Sequence, residues 1–235
     1  HPRPLSLRER GVRMAAEWLL EAAVALTIGS VPGSTTARLS LAEYLKYSDG
    51  GDTRYELVAG ELVPMALPTG RHGQIVDFLN TAFRAEIRRQ GLPWTSQPMA
   101  IGIQSPRGNR WDTVRIPDVV VLPLQQWQEM GSREALIRLE DPPPLLVVEV
   151  VSESSRAADY RAKRAEYCVL GIGEYWIVDP MEEKVSLLLL HEGWYDLLEL
   201  KGSERVPSKV FAGLELQAGE ILAADLGYSG KATGS

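Results

Sequence analysis

Cysteine is nearly absent from this chain of 235 residues, in which Cys168 is the only one. One cysteine can form neither an intrachain disulfide nor a thiolate metal cluster, and it suits a reducing compartment. We therefore expect a cytoplasmic protein. Long apolar runs are lacking as well, because the longest, Met14 to Ile28, contains Glu17 and Glu21 and is too short and too charged to cross a bilayer. We expect no membrane partner.

An excess of positive charge is also missing, since 25 Lys and Arg stand against 31 Asp and Glu for a formal charge of -6. No global field would hold a polyanion, so any nucleic-acid contact must be local. The chain has no Gly-rich phosphate loop, no Cys/His zinc spacing and no Gly-x-Ser-x-Gly elbow at a strand-to-helix junction. These absences count against nucleotide-driven and serine-hydrolase chemistry.

Composition predicts one globular domain, because 45% of the residues are hydrophobic and 24% are charged. Met14 would serve as an initiator, and the Gly/Ser-rich stretch Gly29 to Thr36 is typical of a linker. We therefore predict an N-terminal extension and linker over residues 1–36, a folded domain over 37–228 and a flexible tail over 229–235.

Within that domain the hydrophobic patterns alternate between strand and helix periods, which predicts an α/β fold. We expect a short helix begun by Ser40, a hairpin turning at Ala59-Gly60 and a long helix ended by Gly91. The predicted strands of the middle region are Met99 to Ile103 and Val114 to Leu122, with a loop at Gln104 to Asn109 between them.

The second half of the domain predicts a parallel crossover followed by a hairpin. The β-branched run Leu145 to Val151 is typical of a strand covered on both faces. A helix should follow from Arg156 to Leu170, and Glu174 to Val178 should be the next strand. The final hairpin should pair Val185 to Leu190 with Trp194 to Leu200.

Two acidic residues interrupt otherwise apolar strands. Asp118 precedes a run of valines, and Glu149 lies inside Leu145 to Val151. Either one could be a satisfied core acid paired with an arginine such as Arg115. Two carboxylates on adjacent strands also form the open oxygen site that Mg²⁺ prefers, with Mn²⁺ as an alternative ion.

Further polar residues could join this pair. A two-residue turn in the first hairpin would place Glu56 and Glu61 on one side of the ribbon, which favours cation binding. On the helix after Glu149, Asp159, Lys163 and Tyr167 share one face, although Asp159 and Lys163 could form an ordinary salt bridge. We assign Tyr167, Tyr175 and Trp176 to the core, and His72 at a helix start is more often structural than functional.

Together these residues resemble the PD-(D/E)XK nuclease-like superfamily and, within it, the restriction-endonuclease-like Uma-two family. The pattern covers roughly Ser40 to Leu222, and its joint spacing is more specific than any one motif. The matching residues lie in Tyr55-Glu56-Leu57-Val58, Gly60-Glu61-Leu62, His72, Pro117-Asp118-Val119, Val148-Glu149-Val150, Asp159, Lys163, Tyr167, Gly171 and Glu174 to Pro180.

The resemblance implies a restriction-endonuclease-like mixed β-sheet flanked by helices, with N-terminal and C-terminal hairpins. It implies that Asp118, Glu149 and a hairpin glutamate bind the metal, and we favour Glu56 over Glu61 as that third ligand. The usual lysine of the superfamily would fall at Val151, so Lys163 is the expected substitute. The resemblance further implies a DNA substrate and a homodimer.

The leading hypothesis is therefore a Mg²⁺-dependent endonuclease in which Asp118, Glu149 and Glu56 bind the ion and Lys163 acts on the water or the phosphate. One alternative is a catalytically silent nuclease-like scaffold that binds nucleic acid or protein through buried, paired acids. A third is a metal-dependent hydrolase of small phosphoesters, which would cleave nucleotides but not DNA.

Overall fold

The computed structural model describes residues 38–107 and 110–224. The predicted extension 1–36 and tail 229–235 lie outside the described residues. In chain order the elements are α1 Leu41–Tyr44, β1 Tyr55–Val58, β2 Glu61–Pro64, α2 Gly70–Gln90, β3 Trp94–Pro98, β4 Gly102–Arg107, β5 Arg110–Arg115, β6 Val119–Pro123, α3 Leu124–Glu129, β7 Leu136–Ile137, β8 Leu146–Val150, α4 Ala158–Leu170, β9 Glu174–Asp179, β10 Lys184–His191, β11 Trp194–Leu200 and α5 Ala218–Ala223.

The strands form two sheets. The hairpin sheet has the order β2-β1-β5-β4-β7, and the central sheet has the order β11-β10-β9-β8-β6-β3. Both are mixed, because β8 runs parallel to β9 and β4 runs parallel to β7, whereas the other neighbours are antiparallel. The predicted α/β class, its mixed sheet with flanking helices and both hairpins are thus confirmed.

The first hairpin has the predicted register, with Glu56 opposite Val63 and Val58 opposite Glu61. Its turn residues Ala59 and Gly60 have φ of 52° and 83°. A two-residue turn with positive φ at both positions matches the twist of the strands. At Gly60 an added Cβ would lie 2.9 Å from the Cβ of Arg38, so this turn needs glycine.

The two strands predicted for the middle region are wrong in their bounds. Met99 has a φ of 46° and separates β3 from β4, and Gln104 to Arg107, predicted as loop, belong to β4. The single strand predicted at Val114 to Leu122 is two strands, because the chain leaves the hairpin sheet after Arg115 and enters the central sheet at Val119. The link between the sheets contains Pro117, which cannot donate a ladder hydrogen bond.

Apolar cores cover both faces of the central sheet. On one face α2 and α5 pack on strand residues such as Val148, and the rings of Phe83, Trp176 and Phe211 lie together. On the other face Val147 and Tyr175 pack beneath α4 with Tyr167. The acids of interest lie on this second face. No helix within residues 38–107 and 110–224 is long and apolar enough to cross a bilayer.

Candidate active site

Asp118 and Glu149 come together at the end of the β6 and β8 pairing. The antiparallel register pairs Val119 with Val148, so one further step along the ladder sets Asp118 opposite Glu149. Directly opposed residues project to the same face of a sheet. Both side chains are buried, with 7% and 3% of their surface exposed. The two predicted strands therefore bring their interrupting acids into one cluster beneath α4.

Glu149 is held by two residues of α4. Lys163 Nζ donates to Glu149 Oε2 at 2.8 Å, and the Tyr167 hydroxyl donates to Oε1 at 2.7 Å. We assigned Tyr167 to the core from its sequence, and it is fully buried, but its hydroxyl also belongs to the acidic cluster. Its i, i+4 spacing from Lys163 carried that signal, because such residues lie on one helix face.

The first part of α4, Ala158–Lys163, is a π-helical turn that continues as an α-helix from Arg164. Wide turns of this kind occur frequently at functional sites. Within it Lys163 Nζ lies 2.9 Å from Asp159 Oδ1, and the Ser155 hydroxyl donates to Asp159 Oδ2 at 2.6 Å. Ser155 thus fixes Asp159, which together with Glu149 fixes the ammonium group of Lys163. No motif or spacing in the sequence indicated this contact of Ser155.

Asp118 is held from the start of α2. His72 Nε2 lies 2.9 Å from Asp118 Oδ1, and the backbone N–H of Val150 donates to Oδ2 at 2.7 Å. The side chain of Thr69 caps α2 by accepting from the His72 backbone N–H, which positions the histidine. His72 therefore contacts the cluster, although its position at a helix start in the sequence favoured a structural role.

The two hairpin glutamates have different surroundings. Glu56 accepts hydrogen bonds from the Ile116 N–H at 3.0 Å and from Arg115 Nη1 at 3.1 Å, and it lies 3.9 Å from Lys163 Nζ. Glu61 is exposed and lies 3.7 Å from Arg38. Of these two, only Glu56 reaches the cluster. Whether it binds a metal stays a prediction.

Arg115 joins the hairpin sheet to α4. Its Nε and Nη2 donate to Glu166 at 2.7 and 2.8 Å, in the bidentate geometry that makes arginine pairs with carboxylates strong. Since Nη1 of the same guanidinium bonds Glu56, one buried cation fixes β1 and the helix together. The expectation that Arg115 pairs with Asp118 or Glu149 is wrong, because Arg115 bonds Glu166 and Glu56.

Negative charge exceeds positive charge in this cluster. Its five carboxylates and two permanent cations give a formal charge of 2 − 5, or −3, if every acid is ionised; they are Glu56, Asp118, Glu149, Asp159 and Glu166 with Arg115 and Lys163. Burial raises the pKa of Glu149 well above its ordinary value, with Lys163 opposing and the neighbouring acids adding to the effect. Burial likewise raises the pKa of Asp159.

The pKa of Lys163 is raised as well. Burial alone would lower the pKa of its ammonium group, but the charges of Glu149, Asp159 and Glu56 outweigh burial and raise it. The lysine is therefore charged at neutral pH. The carboxylates that raise the pKa of Lys163 outnumber the cations beside them, so the cluster has a shortage of positive charge. An added cation would relieve that shortage.

The side chains are nevertheless engaged with one another. Within residues 38–107 and 110–224, no three His, Cys, Asp or Glu side chains converge as ligands of a single metal ion. Asp118 and Glu149 offer four hard carboxylate oxygens, each of which accepts one protein hydrogen bond or contacts His72. A carboxylate oxygen has a second lone pair, so these contacts leave acceptor capacity. The donor chemistry suits Mg²⁺, which commonly binds one or two carboxylates and retains several waters.

The chain is similar to known proteins in family and in fold. A family described as "Uma2: Putative restriction endonuclease" matches residues 41–219. The chain is also similar to a crystal structure titled as a putative nuclease belonging to DUF820 from Anabaena variabilis, with a TM-score of 0.64 and 17% sequence identity. That alignment covers 79% of this chain and 98% of the other, and it demonstrates a shared fold. No curated protein sequence matches the chain.

Proposed function

Because the chain belongs to the Uma2 family, we propose that it is a metal-dependent endonuclease that hydrolyses phosphodiester bonds of DNA. The observation that carries this proposal is the opposed pair of Asp118 and Glu149, with Lys163 bonded to Glu149 in a cluster short of positive charge. The family supports nuclease chemistry, and the same membership supports DNA as the proposed substrate. The cluster supplies the residues that such chemistry needs.

Asp118 and Glu149 would hold Mg²⁺ or Mn²⁺, with Glu56 as a third ligand if it releases the Ile116 N–H or Arg115. When bound, the ion would polarise the scissile phosphodiester and lower the pKa of an attacking water. The residues of the chain have separate tasks around it. Tyr167 and Lys163 orient Glu149, and His72 orients Asp118. Lys163 also carries the charge that can bind a phosphate oxygen or position the water.

Cleavage of supercoiled plasmid and of single-stranded DNA tests the proposal. With Mg²⁺ or Mn²⁺ the wild type should cleave, and Asp118→Asn and Glu149→Gln should each slow cleavage by on the order of a hundredfold or more. Both substitutions preserve side-chain volume. Glu153→Gln is the matched control, because Glu153 is an exposed carboxylate four residues after Glu149. Equal rates in all variants would reject the assigned site.

A second function has its own support, namely that each oxygen of Asp118 and Glu149 already has a protein partner. Such acids could be structural in a silent module that binds nucleic acid or protein. The two functions differ in metal linkage, since a ligand that binds only the folded state raises its melting temperature. We expect Mg²⁺ to raise the Tm of the wild type more than that of Asp118→Asn. Equal shifts would favour the silent module.

Two further expectations accompany the proposal. Family membership supports a homodimer, which light scattering of the full chain would test. The lone, half-buried Cys168 supports a reducing cytoplasmic location.

A further inference from the structure

A cavity of about 290 Å³ lies between α1 and the segment that leads into β1. It is lined by tyrosines, small polar residues and one carboxylate, namely Tyr44, Leu45, Tyr47, Ser48, Asp49, Gly51, Thr53 and Tyr55. This volume is at the lower end of the range of small-molecule sites, and it is sufficient for one flat heterocycle. None of the residues assigned to metal binding or catalysis lines the cavity. One lining residue, Tyr55, directly precedes Glu56 in the chain.

The walls of this cavity are held in place by hydrogen bonds. The Tyr55 hydroxyl donates to Asp49 Oδ2 at 2.7 Å, and the Gly51 N–H donates to Asp49 Oδ1 at 2.8 Å. The Tyr44 hydroxyl donates to the Tyr55 carbonyl at 2.7 Å. The Tyr44 contact joins α1 to β1 and the Asp49 contacts hold the connecting segment against Tyr55, so the rings are positioned before any ligand arrives. Preorganisation of this kind reduces the entropic cost of binding.

Tyr47 lies at the open side of the cavity. Its side chain is 44% exposed and meets Tyr55 edge to face, with ring centroids 5.7 Å apart. The apolar core therefore does not account for its position. A tyrosine ring offers a flat, rigid stacking surface, and Asp49 offers carboxylate oxygens that each retain a second lone pair. A flat ligand with an amino group satisfies both.

Two exposed cations accompany these rings in the sequence. Lys46 and Arg54 directly precede Tyr47 and Tyr55, and Arg54 Nη2 also donates to the Met99 carbonyl at 2.6 Å. Alternating basic and aromatic side chains bind single strands, because the cations follow the backbone and the rings stack on bases. The same segment also contains the acids Glu43, Asp49 and Asp52, so stacking and hydrogen bonding rather than net charge would hold a nucleotide here.

We propose that this cavity binds an unpaired nucleobase of a single-stranded DNA segment, stacked on Tyr47 and hydrogen-bonded through an amino group to Asp49. The proposal rests on the nuclease function proposed above, which supplies the nucleic-acid substrate. Tyr55 and Glu56 are consecutive in β1 and project to opposite faces of the strand. The cavity therefore takes a base that flanks the scissile phosphate rather than the reacting nucleotide.

Fluorescence anisotropy of a labelled short single-stranded oligodeoxynucleotide tests the proposal without cleavage, in EDTA and again with Ca²⁺. We expect the full-length wild type to prefer this probe to an abasic oligomer of the same length. Tyr47→Leu should weaken binding by about tenfold and remove that preference, whereas Tyr47→Phe should stay within about twofold of wild type. Trp194→Leu is the matched control, since Trp194 is 48% exposed in β11, outside the cavity.

The outcomes for the cavity and for catalysis are separable. Unchanged base preference in Tyr47→Leu, or a loss equal to that of Trp194→Leu, overturns the cavity even if plasmid cleavage depends on Glu149. Failure of the wild type to bind the probe under both conditions also overturns it. Loss of preference in Tyr47→Leu alone supports the cavity, even if no DNA is cleaved, in which case only the nuclease function fails.

Discussion

The two faces of strand β8 differ although they belong to the same five residues. Val148 and Val150 face an apolar core with Trp176 and the side chains of α2. Val147 and Glu149 face α4, where a buried carboxylate needs Lys163 and Tyr167. Dispersion and exclusion of water stabilise the first face, whereas the second depends on ion pairs and hydrogen bonds to buried carboxylates. The second face therefore carries a desolvation cost that the first does not.

The largest loss of stability is expected when an aromatic ring is removed from the apolar face. Phe83→Ala should lower the free energy of unfolding by about 4 kcal/mol, because Phe83 is fully buried and contacts the rings of Trp176 and Phe211. Urea titration measures this loss. Phe78→Ala on the same helix is the control and should cost less, since Phe78 is only partly buried. Equal losses would mean that ring contacts do not dominate this face.

A somewhat smaller loss of stability is expected when the buried lysine is removed from the charged face. Lys163→Met leaves Glu149 and Asp159 without their cation and should cost about 3 kcal/mol at neutral pH. The double variant Lys163→Met with Glu149→Gln should recover part of this loss, because it removes one of the stranded charges. A double-mutant cycle in urea gives the coupling energy. Strictly additive losses would contradict a charge-dependent face.

A smaller loss of stability is expected when single hydroxyl groups are removed. Tyr167→Phe should cost about 1.5 kcal/mol, because its hydroxyl donates to the Glu149 carboxylate. Tyr195→Phe is the matched control, since its buried hydroxyl donates to the neutral carbonyl of Ile172 at 2.8 Å and should cost about 1 kcal/mol. In the cleavage assay only Tyr167→Phe should lower kcat. Equal effects on kcat would deny Tyr167 a part in orienting Glu149.

The smallest expected effect concerns the outer hairpin glutamate. Glu61→Gln should change the free energy of unfolding by less than about 0.5 kcal/mol, because its contact with Arg38 is exposed and long. Glu56→Gln should lower both stability and cleavage, since Glu56 bonds Arg115 and the Ile116 N–H. If Glu61→Gln alone impairs cleavage, the third ligand has been assigned to the wrong residue.

Local patterns predicted the elements whose residues carry their own signals. The capping serine Ser40, the Ala59-Gly60 turn and the helix end at Gly91 were all visible in the sequence, and each is present. The wrong predictions concern segments whose structure is determined by contacts with distant parts of the chain. The valines on both sides of Pro117 predicted one strand. The local sequence does not show that the chain passes there from one sheet to the other, because that passage depends on distant partners.

The acidic cluster was predictable to a similar extent. Apolar patterns predicted a strand at each of Asp118 and Glu149, and spacing predicted a shared helix face for Asp159, Lys163 and Tyr167. The contact between His72 and Asp118 did not, because α2 and β6 are distant in sequence and only packing joins them. The same reason hid Arg115, whose partners lie on β1 and α4.

The three-residue link from Ile116 to Asp118 has a consequence for how this chain can vary in length. Most connections between strands accept inserted or deleted residues at the surface. This link joins two sheets and ends on the acid that the ladder sets opposite Glu149. One residue more or fewer would turn the carboxylate to the other face of the sheet, since side chains alternate along a strand. Related sequences should therefore keep this segment free of gaps, while the turn at Gly193 can lengthen.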